Sequence, residues 1–206
     1  MKEFWDKRYE EEGFAYGTEP NVFLREELNR LDLTQGKALF VAEGEGRNAV
    51  YAAERGFEVT AFDISSSGKE KALQLAKQKG ALLTYYVGDI FSLAPQPESF
   101  DLAVLIFAHF PSEVRKKIHI KTAESIKPGG YILVEGFSKN NLALRAENPQ
   151  IGGPDSIHLL YNTDEIREDF PDFEILHLAE ETVELNEGKY HKGTAKVIRF
   201  IGRKRH

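Results

Sequence analysis

Ala38-Leu-Phe-Val-Ala-Glu-Gly-Glu-Gly-Arg-Asn-Ala49 and, after it, Glu58-Val-Thr-Ala-Phe-Asp63 are the two stretches that decide the fold. The first is an apolar strand that ends in a glycine pair, and the second is a strand that ends in an acid. Glycines at 44 and 46 let the backbone turn tightly and approach a ligand, and a carboxylate at the next strand tip can accept ribose hydroxyls. Asp63 follows Gly44 by 19 positions (63 − 44), close to the spacing of about 20 in such βαβ units. The pair predicts a nucleotide-cofactor site.

The glycine pattern by itself leaves the cofactor open. Gly44-x-Gly46-x-x-Ala49 also satisfies the dinucleotide fingerprint, so a nicotinamide-dependent oxidoreductase is one alternative. A tight strand-to-helix turn without a ligand is another. Asn48 to Gly56 reads as a helix closed by a glycine, so strand, loop, helix and strand follow in the order that a cofactor motif requires.

Composition excludes several classes of function. The chain has 206 residues, 41% of them hydrophobic, a net charge of −6 and no cysteine. The basic residues are dispersed apart from a short tail at 203–205, so we expect no nucleic-acid partner. Without cysteine there are no disulfides, thiolate nucleophiles or Cys-based zinc sites, and we expect no metal. The start lacks a signal peptide's apolar core, and we expect a cytoplasmic protein, a monomer or weak homodimer, with no membrane partner.

The order of elements predicts an α/β fold. Helices are expected over 3–12 and 20–33, and five apolar strands (37–42, 57–63, 82–87, 100–107 and 131–137) alternate with helices, which indicates a parallel sheet covered on both faces. The polar stretch 138–160 suits a surface loop near a site, and strands over 173–185 and 190–203 form a hairpin. We predict one domain over 1–206, with a helical cover (1–33), a cofactor-binding core (36–137), and a substrate loop and hairpin (138–206). Its sheet should be Rossmann-like, doubly wound and seven-stranded, mostly parallel with an antiparallel C-terminal hairpin strand.

With these motifs, a Gly-Asp after the third strand and a terminal hairpin, the chain resembles the class I S-adenosylmethionine-dependent methyltransferases. The opening Phe-Trp-Asp-Lys-Arg-Tyr, the Gly-Arg-Asn after the loop and the closing Asn-Glu-Gly-Lys-Tyr-His-Lys-Gly resemble the tellurite-resistance TehB and thiopurine methyltransferase-like group. The resemblance implies S-adenosyl-L-methionine as cofactor and a small molecule as methyl acceptor. It implies the following cofactor contacts: Ala42, Glu43, Gly44, Glu45 and Gly46 around the methionine part, Asp63 on the ribose, Asp89 near the adenine amine, Ile64 and Ile90 beside the ring, and Phe107.

The chain departs from the family pattern at two positions and leaves two roles open. Phe40 stands where family members usually have an acid, and Ala42 where they have a glycine, and each departure could weaken binding or alter the loop's path. Asp63 has the alternative role of a helix cap in front of Ser65. Asp89 has the alternative role of a cap before a short turn.

On the acceptor side, two histidines are candidates for a general base. His109 lies at the tip of the fourth strand, with capping or packing as the alternative. His191, followed by Lys192, matches a His-basic pair of the tellurite-resistance group; its alternative is an ordinary strand residue facing solvent. We expect the acceptor between the 108–111 tip, the 138–160 loop and the hairpin.

Further side chains have two interpretations each. Trp5, Tyr9 and Tyr16 are expected either to form part of a lid or, for the first two, to pack a helix. Arg47 and Arg145 can hold an anionic substrate, or, for Arg145, form a surface salt bridge. We predict a methyltransferase that acts on a small S, N, O or chalcogen acceptor by direct methyl displacement. A nicotinamide-dependent oxidoreductase and a non-catalytic S-adenosylmethionine-binding protein remain as alternatives.

Overall fold

The computed structural model describes residues 1–206 and contains one seven-stranded sheet in the order β3-β2-β1-β4-β5-β7-β6. The strands β1 to β5 run parallel, whereas β7 pairs antiparallel with both β5 and β6. Their bounds are β1 Gly36–Val41, β2 Phe57–Asp63, β3 Leu83–Val87, β4 Phe100–Ile106, β5 Ile126–Phe137, β6 Phe173–Glu187 and β7 His191–Lys204. The predicted Rossmann-like sheet with an antiparallel C-terminal hairpin is confirmed.

Helices cover both faces of the sheet because its strands are apolar on both sides. Alternate residues of β1 enter two separate cores: Ala38 and Phe40 pack with α2 and α3, whereas Leu39 and Val41 pack in the core that α6 and α8 complete. The helices are α1 Lys2–Glu10, α2 Val22–Arg30, α3 Arg47–Glu54, α4 Ser66–Lys79, α5 Ile90–Leu93, α6 Ser112–Ser125, α7 Asn141–Glu147 and α8 Thr163–Asp169. None of them is long and apolar enough to cross a lipid bilayer.

The strand order places the ligand crevice. The chain winds outward from β1 through β2 to β3, and then returns to the other side of β1 with β4 and β5. The carboxyl ends of β1 and β4 therefore lie at the switch point of the sheet, where open α/β sheets bind ligands. The glycine loop follows one of these strands, and the 107–111 tip follows the other.

The stretch expected to be a surface loop, 138–160, contains helix α7 and two short 3-10 helices, Pro149–Ile151 and Ile157–Leu159. Its apolar residues explain the difference, because Ile151 and Leu160 are buried in a small core with Phe137, Leu185 and Val197. The β5 strand also begins five residues earlier (131 − 126) than the sequence suggests, since Ile126 pairs with Phe100 before a register shift.

Candidate functional site

The glycine loop after β1 turns through three left-handed positions. The φ angles are +53° at Ala42, +62° at Gly44 and +86° at Gly46, which begins helix α3 as its N-cap. A β-carbon at Gly46 would lie 2.5 Å from the Ala72 β-carbon of α4, so this glycine allows close helix packing. Ala42 keeps the left-handed backbone despite its side chain, which an L-residue adopts only at a cost. The backbone of the loop therefore makes the expected turn. Because position 42 holds alanine instead of the glycine of the family, the backbone is strained there.

Phe40, the other departure, lies inside the core. Its side chain is fully buried and packs with Phe23, Leu28 and Ala49 between the sheet and its helices. The strand position where the family carries an acid is therefore apolar here, and the nearby carboxylates come from the loop and from the end of β2.

Asp63 ends β2 beside the glycine loop and is 6% exposed. One carboxylate oxygen accepts a hydrogen bond from the Gly44 amide at 3.0 Å, and the other accepts from the Ser65 amide at 2.9 Å. Burial raises the pKa of Asp63 to about 6 against these two bonds. Helix α4 is capped by the Ser65 hydroxyl, which accepts from Gly68, so Asp63 is not its N-cap. Because each carboxylate oxygen has further lone pairs, Asp63 can also accept from a ribose.

Two glutamates complete an acidic lining of the loop. Glu43 accepts from the amides of Asn48 and Ala49 at 2.9 and 2.8 Å at the start of α3, and desolvation raises its pKa to about 7. Glu45 turns toward the N-terminal segment: it accepts from the Ala15 amide at 2.7 Å and pairs with Lys71 at 3.0 Å. With Asp63, these are three buried or desolvated carboxylates in one crevice, a lining that suits a ligand carrying positive charge. The residues present therefore fit a cationic nucleoside such as S-adenosylmethionine.

The adenine-side residues lie beyond β3. Asp89 is the N-cap of α5, where one carboxylate oxygen accepts from the amides of Phe91 and Ser92 at 3.0 and 2.8 Å. The second oxygen makes no hydrogen bond within the chain, so the capping role leaves it available to a ligand. Ile90 is buried and Ile64 is partly exposed. The capping alternative is therefore present in the structure and is compatible with the adenine role.

The N-terminal segment covers this crevice. Asp6 accepts from the Ser65 hydroxyl at 2.6 Å and from the Ser66 amide at 2.9 Å, which fixes α1 across the start of α4. Tyr9 is buried against Gly44 and Gly68, and Trp5 stacks on its ring at 5.4 Å. Helix α1 therefore packs through Trp5 and Tyr9 and covers the crevice in doing so. The lid and the helix-packing interpretations of these two residues describe the same arrangement.

His109 follows β4, and the backbone uses both of its ring nitrogens. Nδ1 lies 2.7 Å from the Leu159 carbonyl oxygen, and Nε2 accepts from the Phe137 amide at 3.2 Å. Burial lowers the pKa of His109 to about 4. Taking up a proton at Nε2 would break the bond from Phe137, so the geometry favours the packing alternative over a base.

His191 begins β7, is buried, and lies among rings from three segments. The ring centroids of Tyr16 and Phe107 are each 4.5 Å from its imidazole, and that of Phe137 is 5.2 Å away. Its Nδ1 lies 3.2 Å from a carboxylate oxygen of Glu187, and its Nε2 makes no hydrogen bond within the chain. Burial lowers the pKa of His191, so the ring is neutral near pH 7.

Glu187 lies between the two strands predicted for the hairpin, 173–185 and 190–203, and is not among the expected site residues, yet its carboxylate receives three donors. Arg47 binds it at 2.8 Å, His191 at 3.2 Å and the Asn21 side-chain amide at 3.0 Å. Against the effect of burial, the bond to His191 and the charge of Arg47 hold the pKa of Glu187 at about 2. The spacing of four residues between Glu187 and His191 across a hairpin turn was the one local signal for this pair.

Two expected site residues are placed elsewhere. Lys192 is exposed, because neighbouring residues of a strand point to opposite faces and His191 takes the inner one. The side chain of Lys192 therefore lies on the face of β7 opposite the rings around His191. Arg145 donates from its Nε to the Gly153 carbonyl oxygen at 2.9 Å, which ties two parts of the 138–160 segment together, and it forms no salt bridge.

The chain is similar to a known domain family in sequence and to several solved structures in fold. Residues 38–130 match the model of a methyltransferase domain family, whereas no curated protein sequence matches the chain. A structure from a study of the conversion of a disulfide bond into a thioacetal group during echinomycin biosynthesis is similar, with a TM-score of 0.79 and 20% identity over 100% of this chain and 92% of that one. TehB from Haemophilus influenzae gives a TM-score of 0.71 at 19% identity over 99% of this chain and 67% of that one.

A third similar structure was solved with ligands. It is the Burkholderia thailandensis 1,6-didemethyltoxoflavin-N1-methyltransferase with bound 1,6-didemethyltoxoflavin and S-adenosylhomocysteine. Its TM-score is 0.64 at 16% identity, and the alignment covers 90% of this chain and 78% of that one.

Proposed function

We propose that this chain, an S-adenosylmethionine-dependent methyltransferase, transfers the methyl group to a small, uncharged acceptor with a soft or heteroatom nucleophile. The methyltransferase class and its cofactor were predicted from the sequence and are supported by the matched methyltransferase domain over residues 38–130, and the similar structures share the fold. The acceptor, its site and the base are the parts that we propose. The observation that carries them is the buried His191, whose Nε2 is without a hydrogen bond between Tyr16 and Phe107.

The walls around His191 favour a polarisable or aromatic acceptor. Tyr16, Phe107 and Phe137 present ring faces and edges to the imidazole, and such rings attract apolar and polarisable groups. Arg47 shares the Glu187 carboxylate with His191 and is paired with it at 2.8 Å, with the two side chains 9% and 10% exposed. Because Glu187 already neutralises Arg47, an uncharged thiol, selenol or heterocyclic nitrogen suits this side of the site better than a carboxylate or phosphate. This pairing favours a structural role for Arg47, as the ion-pair partner of Glu187, over a role in binding an anionic substrate.

The residues then have the following roles. S-adenosylmethionine supplies an electrophilic methyl group on a positively charged sulfur. A lone pair of the acceptor would take that methyl group as the carbon–sulfur bond breaks, with the electrons of that bond left on sulfur. Nε2 of His191 takes the proton that the acceptor loses, and Asp63 and the glycine loop hold the nucleoside. Positioning is most of the work in such a displacement, and the base adds to it.

We further propose that the chain has a function similar to that of the TehB group. The support is the sequence resemblance in the opening and closing segments, and a fold shared over 99% of this chain with TehB from Haemophilus influenzae. Acceptors of sulfur, nitrogen and heavier chalcogens are all consistent with the apolar walls.

An acceptor panel tests this proposal. The purified protein is incubated with S-adenosylmethionine and thiophenol, sodium sulfide, imidazole or benzoate, and S-adenosylhomocysteine is measured by mass spectrometry. We expect turnover with the thiol, sulfide or heterocycle and none with benzoate, and His191→Ala should reduce that turnover. Turnover confined to benzoate would contradict the proposed acceptor class, and equal turnover by His191→Ala would contradict the proposed base.

A further inference from the structure

Glu187 is held in one position by more donors than a turn residue needs. Its Oε1 accepts from the Asn21 amide at 3.0 Å, and its Oε2 accepts from Arg47 at 2.8 Å. The same Asn21 amide donates to Glu135 at 2.7 Å, and Glu135 pairs in turn with Arg199 at 2.6 Å. Four segments of the chain thus meet around the carboxylate of Glu187. These bonds hold its Oε2 in the position where it contacts Nδ1 of His191.

The arrangement selects one form of the imidazole. An ionised carboxylate only accepts hydrogen bonds, so the ring nitrogen 3.2 Å from Glu187 has to carry the hydrogen. In a neutral imidazole the other nitrogen then keeps its lone pair. That nitrogen, Nε2, makes no hydrogen bond within the chain, in contrast to Nε2 of His109, which the Phe137 amide occupies.

We propose that Glu187 is the positioning residue of a Glu187–His191 pair, which holds His191 as the Nδ1–H tautomer with Nε2 ready to accept the acceptor's proton. The proposal rests on the function proposed above in one respect only, namely that the proton comes from the methyl acceptor. When Nε2 takes the proton, the imidazolium is stabilised by the adjacent carboxylate of Glu187, which itself stays ionised. Arg47 and Asn21 keep Glu187 in place and do not touch the acceptor.

Other charges near His191 act in the opposite direction. Arg47 from α3 and Arg8 from α1 disfavour the imidazolium, whereas Glu187 favours it, and burial disfavours it most. Tyr16 faces the ring and accepts from Arg8 at 3.4 Å, and His109 stacks on Phe137, which also contacts the His191 ring. Removing the carboxylate therefore leaves only influences that lower the pKa of His191.

A spectroscopic experiment separates this inference from the proposed function, because it needs no acceptor. The protein with 15N-labelled histidine is saturated with S-adenosylhomocysteine, and tautomers are identified by long-range 1H–15N correlation between pH 5 and 9. The His191→Ala spectrum assigns the resonance. The compared variants are Glu187→Gln and, as the matched control, Glu174→Gln at the exposed start of the same β6 strand.

We expect the wild type and Glu174→Gln to show the Nδ1–H tautomer near pH 7. In Glu187→Gln the tautomers should mix, and the pKa of His191 should fall by roughly one pH unit, as for loss of an opposite charge at short range. With an acceptor from the panel, Glu187→Gln should lower kcat by roughly 10²-fold, the lower end of a general base's contribution, with an unchanged KM for S-adenosylmethionine.

An Nε2–H tautomer in the wild type, or identical tautomer populations and pKa values in the two glutamine variants, would overturn the inference. If Glu187→Gln does not fold, Glu187→Asp is used. It keeps the charge but shortens the reach, so it should retain the Nδ1–H tautomer only in part; a wild-type spectrum would again overturn the pairing. A panel without turnover contradicts the proposed function and leaves the tautomer result standing.

Discussion

The hydroxyl of Tyr9 lies against the α-carbon of Gly44: a β-carbon at this glycine would lie 2.5 Å from the tyrosine oxygen and 2.9 Å from the ring carbon that bears it. The N-terminal helix and the glycine loop are therefore in contact through a residue that has no side chain. Gly68 of α4 lies below the same ring, where a β-carbon would be 3.0 Å from it. The cover of the crevice depends on both glycines.

Gly44→Ala should lower the stability of the fold and abolish binding of S-adenosylhomocysteine. The φ of +62° costs an alanine about 1–2 kcal/mol, and the contact with Tyr9 adds to it. Gly80→Ala is the matched control, because its φ is +68° and no atom lies within 4 Å of its added carbon. Thermal unfolding and calorimetric titration measure both effects. Equal losses of stability in the two variants, with cofactor binding retained, would contradict the contact, and Tyr9→Ala should relieve part of the loss.

Ala42→Gly should stabilise the protein by about 0.5–1 kcal/mol. The backbone is left-handed there, with φ of +53°, and a glycine adopts this conformation without steric cost although it gains entropy in the unfolded chain. Urea unfolding measures the change. Ala94→Gly serves as the comparison, since φ is +44° at this exposed residue at the end of α5. This substitution should also stabilise the protein, but only Ala42→Gly should change the affinity for the cofactor. A destabilised Ala42→Gly variant would show that this backbone is not strained.

Asp63→Ala should weaken binding of S-adenosylmethionine by about 1–3 kcal/mol, the scale of hydrogen bonds to a charged group. The carboxylate is 6% exposed and holds the Gly44 amide at 3.0 Å, so the loss combines a ribose acceptor with a looser glycine loop. Calorimetric titration measures it, with circular dichroism to confirm the fold. Unchanged affinity in a folded variant would remove Asp63 from the cofactor site.

Asp63 should also make the fold less stable as the pH rises. Burial raises its pKa from 3.8 to about 6 in the folded protein. Between about pH 4 and pH 6 the folded state therefore binds more protons at this site than the unfolded chain, and the free energy of unfolding falls with increasing pH. The loss is on the order of 3 kcal/mol and is complete above the folded pKa. Urea unfolding of the wild type and of Asp63→Asn at pH 4.5 and 7.5 measures this loss. Relative to the wild type, the free energy of unfolding of Asp63→Asn should be higher at pH 7.5 than at pH 4.5. A constant difference would contradict the raised pKa.

The two histidine variants should fail in different ways. His109→Ala removes the bonds to the Leu159 carbonyl and the Phe137 amide, and unpaired buried groups cost about 1–3 kcal/mol each, so it should lower stability. His191→Ala should retain affinity for S-adenosylhomocysteine and lose roughly 10²–10⁴-fold in turnover if the ring is a general base. Thermal unfolding and single-turnover kinetics test the pair. Impaired turnover in His109→Ala with full activity in His191→Ala would place the base at the tip of β4.

The sequence by itself determined the main elements of the fold and the turn between β1 and α3. Apolar runs, glycine positions and the acid at 63 predicted the order of the strands, the glycine loop and the terminal hairpin, because these depend on local periodicity and on conformations that glycine favours. The same local signals failed for α7, where a polar stretch folds because two scattered apolar residues, Ile151 and Leu160, find a core supplied by β5, β6 and β7.

Only the tertiary structure decided which polar atoms are occupied. Glu187 receives Arg47 from 140 positions away and Asn21 from 166 positions away, and no pattern of neighbouring residues contains these bonds. Both histidine candidates carry the same ring, yet the backbone fills both nitrogens of His109 and leaves Nε2 of His191 without a partner. Similarly, Lys192 follows His191 in sequence and lies on the opposite face of the strand. Residue types set the possible chemistry, whereas the position of distant segments in three dimensions sets which nitrogen is available to perform it.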